Sequence, residues 1–145
     1  MDFSTGMRVS ASGLTAQRMR MNTISSNIAN INTTKTPEGG AYRRKDVVFE
    51  AMPDARNFGE IITGSPDESL QRVQVSDVEV DRKAPLMKYE PDHPDANPDG
   101  YVAYPNINLM EEMANMIQAT RSYEANVQSM QATKDMAMSA LEIGR

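Results

Sequence analysis

Cysteine is absent from the 145 residues, which excludes disulfides, thiolate nucleophiles and cysteine-bound zinc. Tryptophan is absent too, and aromatic residues make up only 6 % of the chain. His93 is the one histidine. A lone imidazole does not make a multi-histidine metal centre, and Asp92-His93-Pro94-Asp95 reads as an exposed turn rather than the seat of a general base. No Gly-x-Ser-x-Gly elbow or phosphate-cradling glycine loop is found. No apolar run approaches membrane-spanning length, and Met1-Asp2-Phe3-Ser4-Thr5-Gly6 lacks the charged-then-apolar pattern of a cleaved signal peptide. The expectation is a protein without catalytic site, metal or cofactor, and without direct lipid insertion.

Positive charge is also scarce. Residues 1–36 carry four basic and one acidic side chain, 37–105 eight and fourteen, and 106–145 three and five, for a net −5. Nucleic acid is therefore not an expected partner, since such binding needs a clustered basic footprint. Arg43-Arg44-Lys45 is short, is followed by Asp46, and reads as a solvated strand edge.

Methionine, by contrast, is abundant, with 12 residues. Its flexible thioether suits either an irregular core or a surface that meets several partners. Much of it lies in two terminal stretches with a seven-residue apolar repeat. In the first, from about Phe3 to Ile31, one row is Met7, Leu14, Met21 and Ile28, and the other is Phe3, Ser10, Gln17, Ile24 and Ile31. Alternating spacings of three and four put both rows on one helical face. Gly6 and Gly13 weaken this helix by up to ~1 kcal/mol each, and Asn30-Ile31-Asn32 followed by Pro37 and Gly39-Gly40 ends it.

The second stretch, 108–143, opens on Asn108 as N-cap with Glu111 placed to complete a capping box. Glu111-Glu112 suits the helix dipole. Its rows are Leu109, Met116, Tyr123, Met130 and Ala137, and Met113, Thr120, Val127, Lys134 and Leu141. Met110, Ile117 and Met138 widen the stripe. Ser10, Gln17, Thr120 and Lys134 occupy seam positions where a two-stranded zipper wants Leu, Ile or Val. Stripes this broad and this polar predict helices that each touch more than one neighbour and gain order on assembly.

Between the helices, the pattern is β-like. Val73 and Val75 alternate, as do Val78 and Val80, with a phase shift at Ser76-Asp77 that a bulge would repair. Tyr42, Val47-Val48-Phe49, Ile61-Ile62, Leu86-Met87 and Tyr101-Val102-Ala103-Tyr104 give further short strands, divided at Pro53-Asp54, Gly64-Ser65-Pro66 and Ala84-Pro85. The expected fold class is α+β: residues 1–36 a helix and joint, 37–105 a small β-rich domain, and 106–145 a second helix. Asp95, Asn97, Asp99 and Gly100 match the opening of an EF-hand loop, but the closing position falls on Asn106, and Asp, Asn, Pro and Gly are ordinary turn formers.

Ala11-Ser12-Gly13-Leu14-Thr15-Ala16-Gln17 with Asn22-Thr23-Ile24-Ser25-Ser26-Asn27-Ile28-Ala29-Asn30 resembles the N-terminal signature of the bacterial flagellar rod and hook axial proteins. Tyr42–Glu50, Asp92–Asn106 and Arg121-Ser122-Tyr123-Glu124-Ala125-Asn126-Val127 extend the resemblance over essentially the whole chain and point to the family's basal-body rod members. The resemblance implies a structural subunit of the proximal rod, exported by the flagellar type III apparatus and polymerised into a helical, torque-transmitting shaft in the periplasm, with its two terminal helices forming an antiparallel coiled-coil-like layer. The implied partners are copies of itself, other rod proteins, and the MS ring or export gate at the base. It also implies an early export element, which Phe3 and Met7 match in spacing, although helix packing accounts for both equally well. Residues 32–40 depart from the shorter turn common in relatives.

The expected assembly interface comprises Leu14, Met21, Ile24, Asn27, Ile28, Asn30 and Ile31 on the first helix. On the second it comprises Leu109, Met113, Met116, Ile117, Tyr123, Val127, Met130, Met138 and Leu141. A competing expectation is a soluble calcium-binding adaptor built on Asp95, Asn97 and Asp99.

Overall fold

The first heptad stretch forms helix α1, Phe3–Ala29, and the last forms helix α2, Leu109–Ile143. At ~1.5 Å per residue they are roughly 40 and 50 Å long. The computed structural model describes residues 3–53 and 71–143. Asn108 caps α2 by accepting a hydrogen bond from the Met110 N–H at 3.1 Å, which satisfies one of the free donors of the first turn. Asn30 closes α1 by donating its amide to the Ser26 carbonyl at 2.8 Å.

The helices run antiparallel in one register. A Cβ on Gly6 would meet Thr133 and one on Gly13 would meet Asn126, while Asn27 meets Glu112. The residue numbers in each pair add to 139. Glu112, Ala119, Asn126 and Thr133 therefore form the row of α2 that faces α1. The second packed row is Met116, Tyr123, Met130 and Ala137, all half-buried. The latter is the row read from the sequence; the former is not. Periodicity selects large apolar residues, but Gly6 and Gly13 let the backbones approach so closely that α2 presents small and polar side chains there. As a result Met113 and Leu141, read as seam residues, stand exposed on the flank together with Lys134.

Strands β1, Lys45–Pro53, and β2, Gln71–Val80, pair antiparallel. Val48 pairs with Asp77 and Phe49 with Val75, so Ser76 is the extra residue of a bulge, where the break in valine alternation placed it. This hairpin packs on α1. The Val73 N–H donates to Ser12 Oγ at 3.2 Å, and the Arg20 guanidinium stands 6.0 Å from the Phe49 ring centre. Strands β3, Leu86–Tyr89, and β4, Tyr101–Tyr104, form a second two-stranded ribbon. Tyr42 lies before β1 rather than in a strand. The expected strand at Ile61-Ile62 and turn at Gly64-Ser65-Pro66 lie outside the described residues.

Among the described residues the buried apolar side chains are few: Ala16, Ile24, Val47, Val102, Ile107 and Ala119. Ala16 and Ile24 lie on α1, Ala119 on α2, Val47 on β1, Val102 on β4, and Ile107 just before α2. At about 1.5–3 kcal/mol for each fully buried large aliphatic side chain, such a core is thin for a chain of this length.

Candidate functional site

Two features of this frame are out of the ordinary: a buried polar joint at one end of the helix pair, and an apolar flank along α2.

The joint centres on Asn27, which is 0 % exposed. Its Oδ1 accepts from the Lys45 N–H at 3.0 Å, and its Nδ2 donates to the Lys45 carbonyl at 2.8 Å. The amide thus holds the first residue of β1 as a neighbouring strand would. The same Nδ2 donates to Glu112 Oε2 at 3.0 Å, and the Tyr42 hydroxyl donates to Asn27 Oδ1 at 3.1 Å. Glu112 is 1 % exposed and takes its second partner from Arg44, whose Nε donates to Oε1 at 2.7 Å. Arg44 also meets Asp46 at 3.0 Å. Burial opposes the charge on Arg44, but its hydrogen bonds to Glu112 and Asp46 outweigh that and raise its pKa. Each buried polar group here has a partner, which makes such a cluster specific rather than costly.

In the sequence Glu111-Glu112 reads as charge for the helix dipole and Asn27 as part of a polar end. In the structure Glu112 turns inward. The available signal was the heptad spacing of Glu112, Ala119, Asn126 and Thr133, which an apolar template passes over.

The linker to β1 folds into a compact loop. Tyr42 N–H donates to the Thr33 carbonyl, and Thr36 N–H to Gly40. Gly39 and Gly40 have φ of 93° and 79°, a region open to glycine at little cost. Thr34 donates its hydroxyl to Asp95 Oδ2 at 2.7 Å, tying the linker to the acidic loop between β3 and β4. His93 Nδ1 accepts from the Asp95 N–H at 3.1 Å. Asn106, at the closing position of an EF-hand reading, donates its amide to the Ala84 carbonyl at 3.3 Å. The polar groups of this loop hold the loop to its surroundings. Among the described residues no three His, Cys, Asp or Glu side chains are grouped to hold a metal.

The apolar flank begins beside the joint. Met110 is 72 % exposed, Met113 47 % and Ile117 56 %, with Leu109 also exposed. Met138, 52 % exposed, lies four heptads beyond Met110 and so on the same flank. Leu141 is exposed near the end of α2. Met116, Tyr123, Val127 and Met130 are half-buried, as are Met7, Leu14, Met21, Ile28, Asn30 and Ile31. Ile24 and Asn27 are buried within the chain itself. The side chain of Phe3 lies outside the described residues. Among the described residues no helix is long and apolar enough to cross a membrane.

An antiparallel pair of terminal helices, a small β-rich centre and an uncovered apolar flank define an axial assembly subunit, and sequence comparison agrees. Residues 7–35 match the family described as flagella basal body rod protein, and residues 99–143 match the flagellar basal body rod FlgEFG protein C-terminal family. The flagellar basal-body rod protein FlgC of Borreliella burgdorferi is 42 % identical over 99 % of this chain and 98 % of its own length. That of Bacillus subtilis is 42 % identical over 96 % of each chain, and that of Escherichia coli O157:H7 is 36 % identical over 94 % of each. The chain belongs to the FlgC family of flagellar basal-body rod proteins. It is a structural rod subunit of the flagellar basal body and assembles with other rod components.

Proposed function

We infer that the subunit packs into a helical shaft through the outer flank of α2, with the polar joint fixing the β-rich part to the helix pair. The observation that carries this is the exposure of Leu109, Met110, Met113 and Ile117 on a helix whose opposite face is already covered by α1. Large apolar side chains clustered on one exposed strip mark a surface made to be buried. A contact between two different patches that does not close into a ring generates a helical filament.

In this reading the units 1–36, 37–105 and 106–145 act as inner helix, outer domain and inner helix. Leu14, Met21, Ile28, Asn30, Ile31, Met116, Tyr123, Val127 and Met130 complete the interface at its margins, whereas Ile24 and Asn27 serve the chain's own joint. The shaft transmits torque and carries no catalysis. Its base meets the MS ring or the export gate, and the chain reaches its place through the type III export apparatus, with Phe3 and Met7 as the export element.

Replacing Met113 and Ile117 together by Asp tests the flank. Both are exposed, so the isolated chain should keep its helix content by circular dichroism while cells expressing it lose rods and motility. Intact rods carrying this variant would overturn the assignment.

A further inference from the structure

The apolar flank is also a sulfur flank. Met110, Met113 and Met138 all lie on it and all are exposed. The chain has no cysteine, so thioethers are its whole oxidisable sulfur. Met21 provides an internal contrast: it is half-buried against α2, with its sulfur 3.7 Å from the Thr120 hydroxyl oxygen.

We propose that Met110 and Met113 at the start of the flank, and Met138 roughly 40 Å further along it, are oxidation-sensitive positions, at which a peroxide converts the unassembled subunit into one unable to join the rod. The step balances without a cofactor. The thioether sulfur attacks one peroxide oxygen, the O–O bond breaks and an S–O bond forms. The sulfur is oxidised by two electrons, and the other oxygen leaves as water. In the free chain the sulfoxide oxygen faces solvent and has water for a partner. Once the flank is covered, that strong acceptor must be buried among Leu and Ile side chains without one, which is unfavourable. Assembly itself then shields the same three sulfurs, so sensitivity belongs to the subunit in transit and not to the finished shaft. This rests on the flank being the assembly surface.

The test uses the full chain and hydrogen peroxide. Peptide mass spectrometry of the treated chain should show Met110, Met113 and Met138 converted at least ten-fold faster than Met21. The triple replacement of these residues by Gln, a permanent polar substitute, should reduce rods per cell at least ten-fold. The triple replacement by Leu should keep rod number and make new rod formation resistant to a peroxide pulse that stops it in the parent strain. Equal oxidation rates, normal rods in the Gln variant, rod loss in the Leu variant without peroxide, or undiminished peroxide sensitivity in the Leu variant would each overturn the proposal. If the Met113→Asp, Ile117→Asp chain loses rods while the Gln variant builds them, the assembly surface stands and only the oxidation sensitivity falls.

Discussion

Asn27 and Glu112, 85 positions apart in sequence, meet at 3.0 Å in the buried corner where α1 ends and α2 begins. Asn27 also holds both backbone groups of Lys45, and Glu112 holds Arg44. One amide and one carboxylate thereby join both helices to the first strand. Directional hydrogen bonds fix the angle between the strand and the helix pair in a way that apolar contact does not.

Removing either partner strands the other. Asn27→Ala takes the partner from the Lys45 N–H, the Lys45 carbonyl and one Glu112 oxygen, while the Tyr42 hydroxyl keeps Ser26 Oγ at 3.3 Å. Given about 1–3 kcal/mol for a buried group left unsatisfied, a loss of about 2–4 kcal/mol in urea unfolding is expected. A double-mutant cycle with Glu112→Ala should give a coupling of about 0.5–3 kcal/mol. Additive losses would show that the two residues act separately.

The two helical glycines should respond in opposite ways. A Cβ on Gly6 would sit at 3.8 Å from Thr133 Cγ2, an ordinary contact, whereas one on Gly13 would be 2.9 Å from Asn126 Nδ2. Gly6→Ala therefore collects the helix preference of alanine, about 0.5–1 kcal/mol. Gly13→Ala must turn the Asn126 amide aside and should gain nothing or lose stability. Thermal unfolding followed by far-ultraviolet circular dichroism separates the pair, and an equal rise for both would contradict the register.

These glycines also mark the limit of what the sequence makes legible. Length and heptad spacing were enough to place both helices, and the phase of Val73, Val75, Val78 and Val80 was enough to place the bulge at Ser76. The face of α2 that meets α1 was not legible, because Glu112, Asn126 and Thr133 look like solvent residues until Gly6, Gly13 and Asn27 are known to oppose them. Which side chain lies opposite which is a tertiary fact. The same limit hid the joint: Asn27 and Glu112 are unremarkable apart and become a site only when the antiparallel register brings them together.

Acidity should loosen the β3–β4 ribbon. Lys88 pairs with Glu90, the Tyr104 hydroxyl donates to the other oxygen of Glu90 at 2.9 Å, and the two bonds hold the Glu90 pKa below its usual 4.5. A carboxylate with a depressed folded-state pKa stabilises fully above its unfolded value, and that contribution disappears as pH falls through the folded value. The same bonds to Glu90 raise the pKa of Tyr104 and Lys88, so the partnership is also lost on the alkaline side as those groups give up their protons. Amide exchange in residues 86–89 and 101–104 should accelerate below about pH 4.5, the usual glutamate value, beyond the intrinsic trend. Glu90→Gln should flatten that acid limb; an unchanged limb would assign it to another group.

Gln17 is the last seam residue to test, since the sequence flagged it as polar where a zipper wants an aliphatic side chain. Its Oε1 is buried without a hydrogen-bond partner, unlike the amide oxygen of Asn27, which has two donors. An unpaired buried acceptor costs about 1–3 kcal/mol, while methionine matches the length of glutamine and has no strong polar group to satisfy. Gln17→Met should therefore stabilise the isolated chain by about 1 kcal/mol, seen as a higher urea midpoint at unchanged slope. Should the same change reduce rods in cells, the buried oxygen is kept for a donor that only a neighbouring subunit supplies; unchanged rods would mark it as a defect the fold tolerates. A fall in the isolated chain's stability would show that the oxygen is already satisfied.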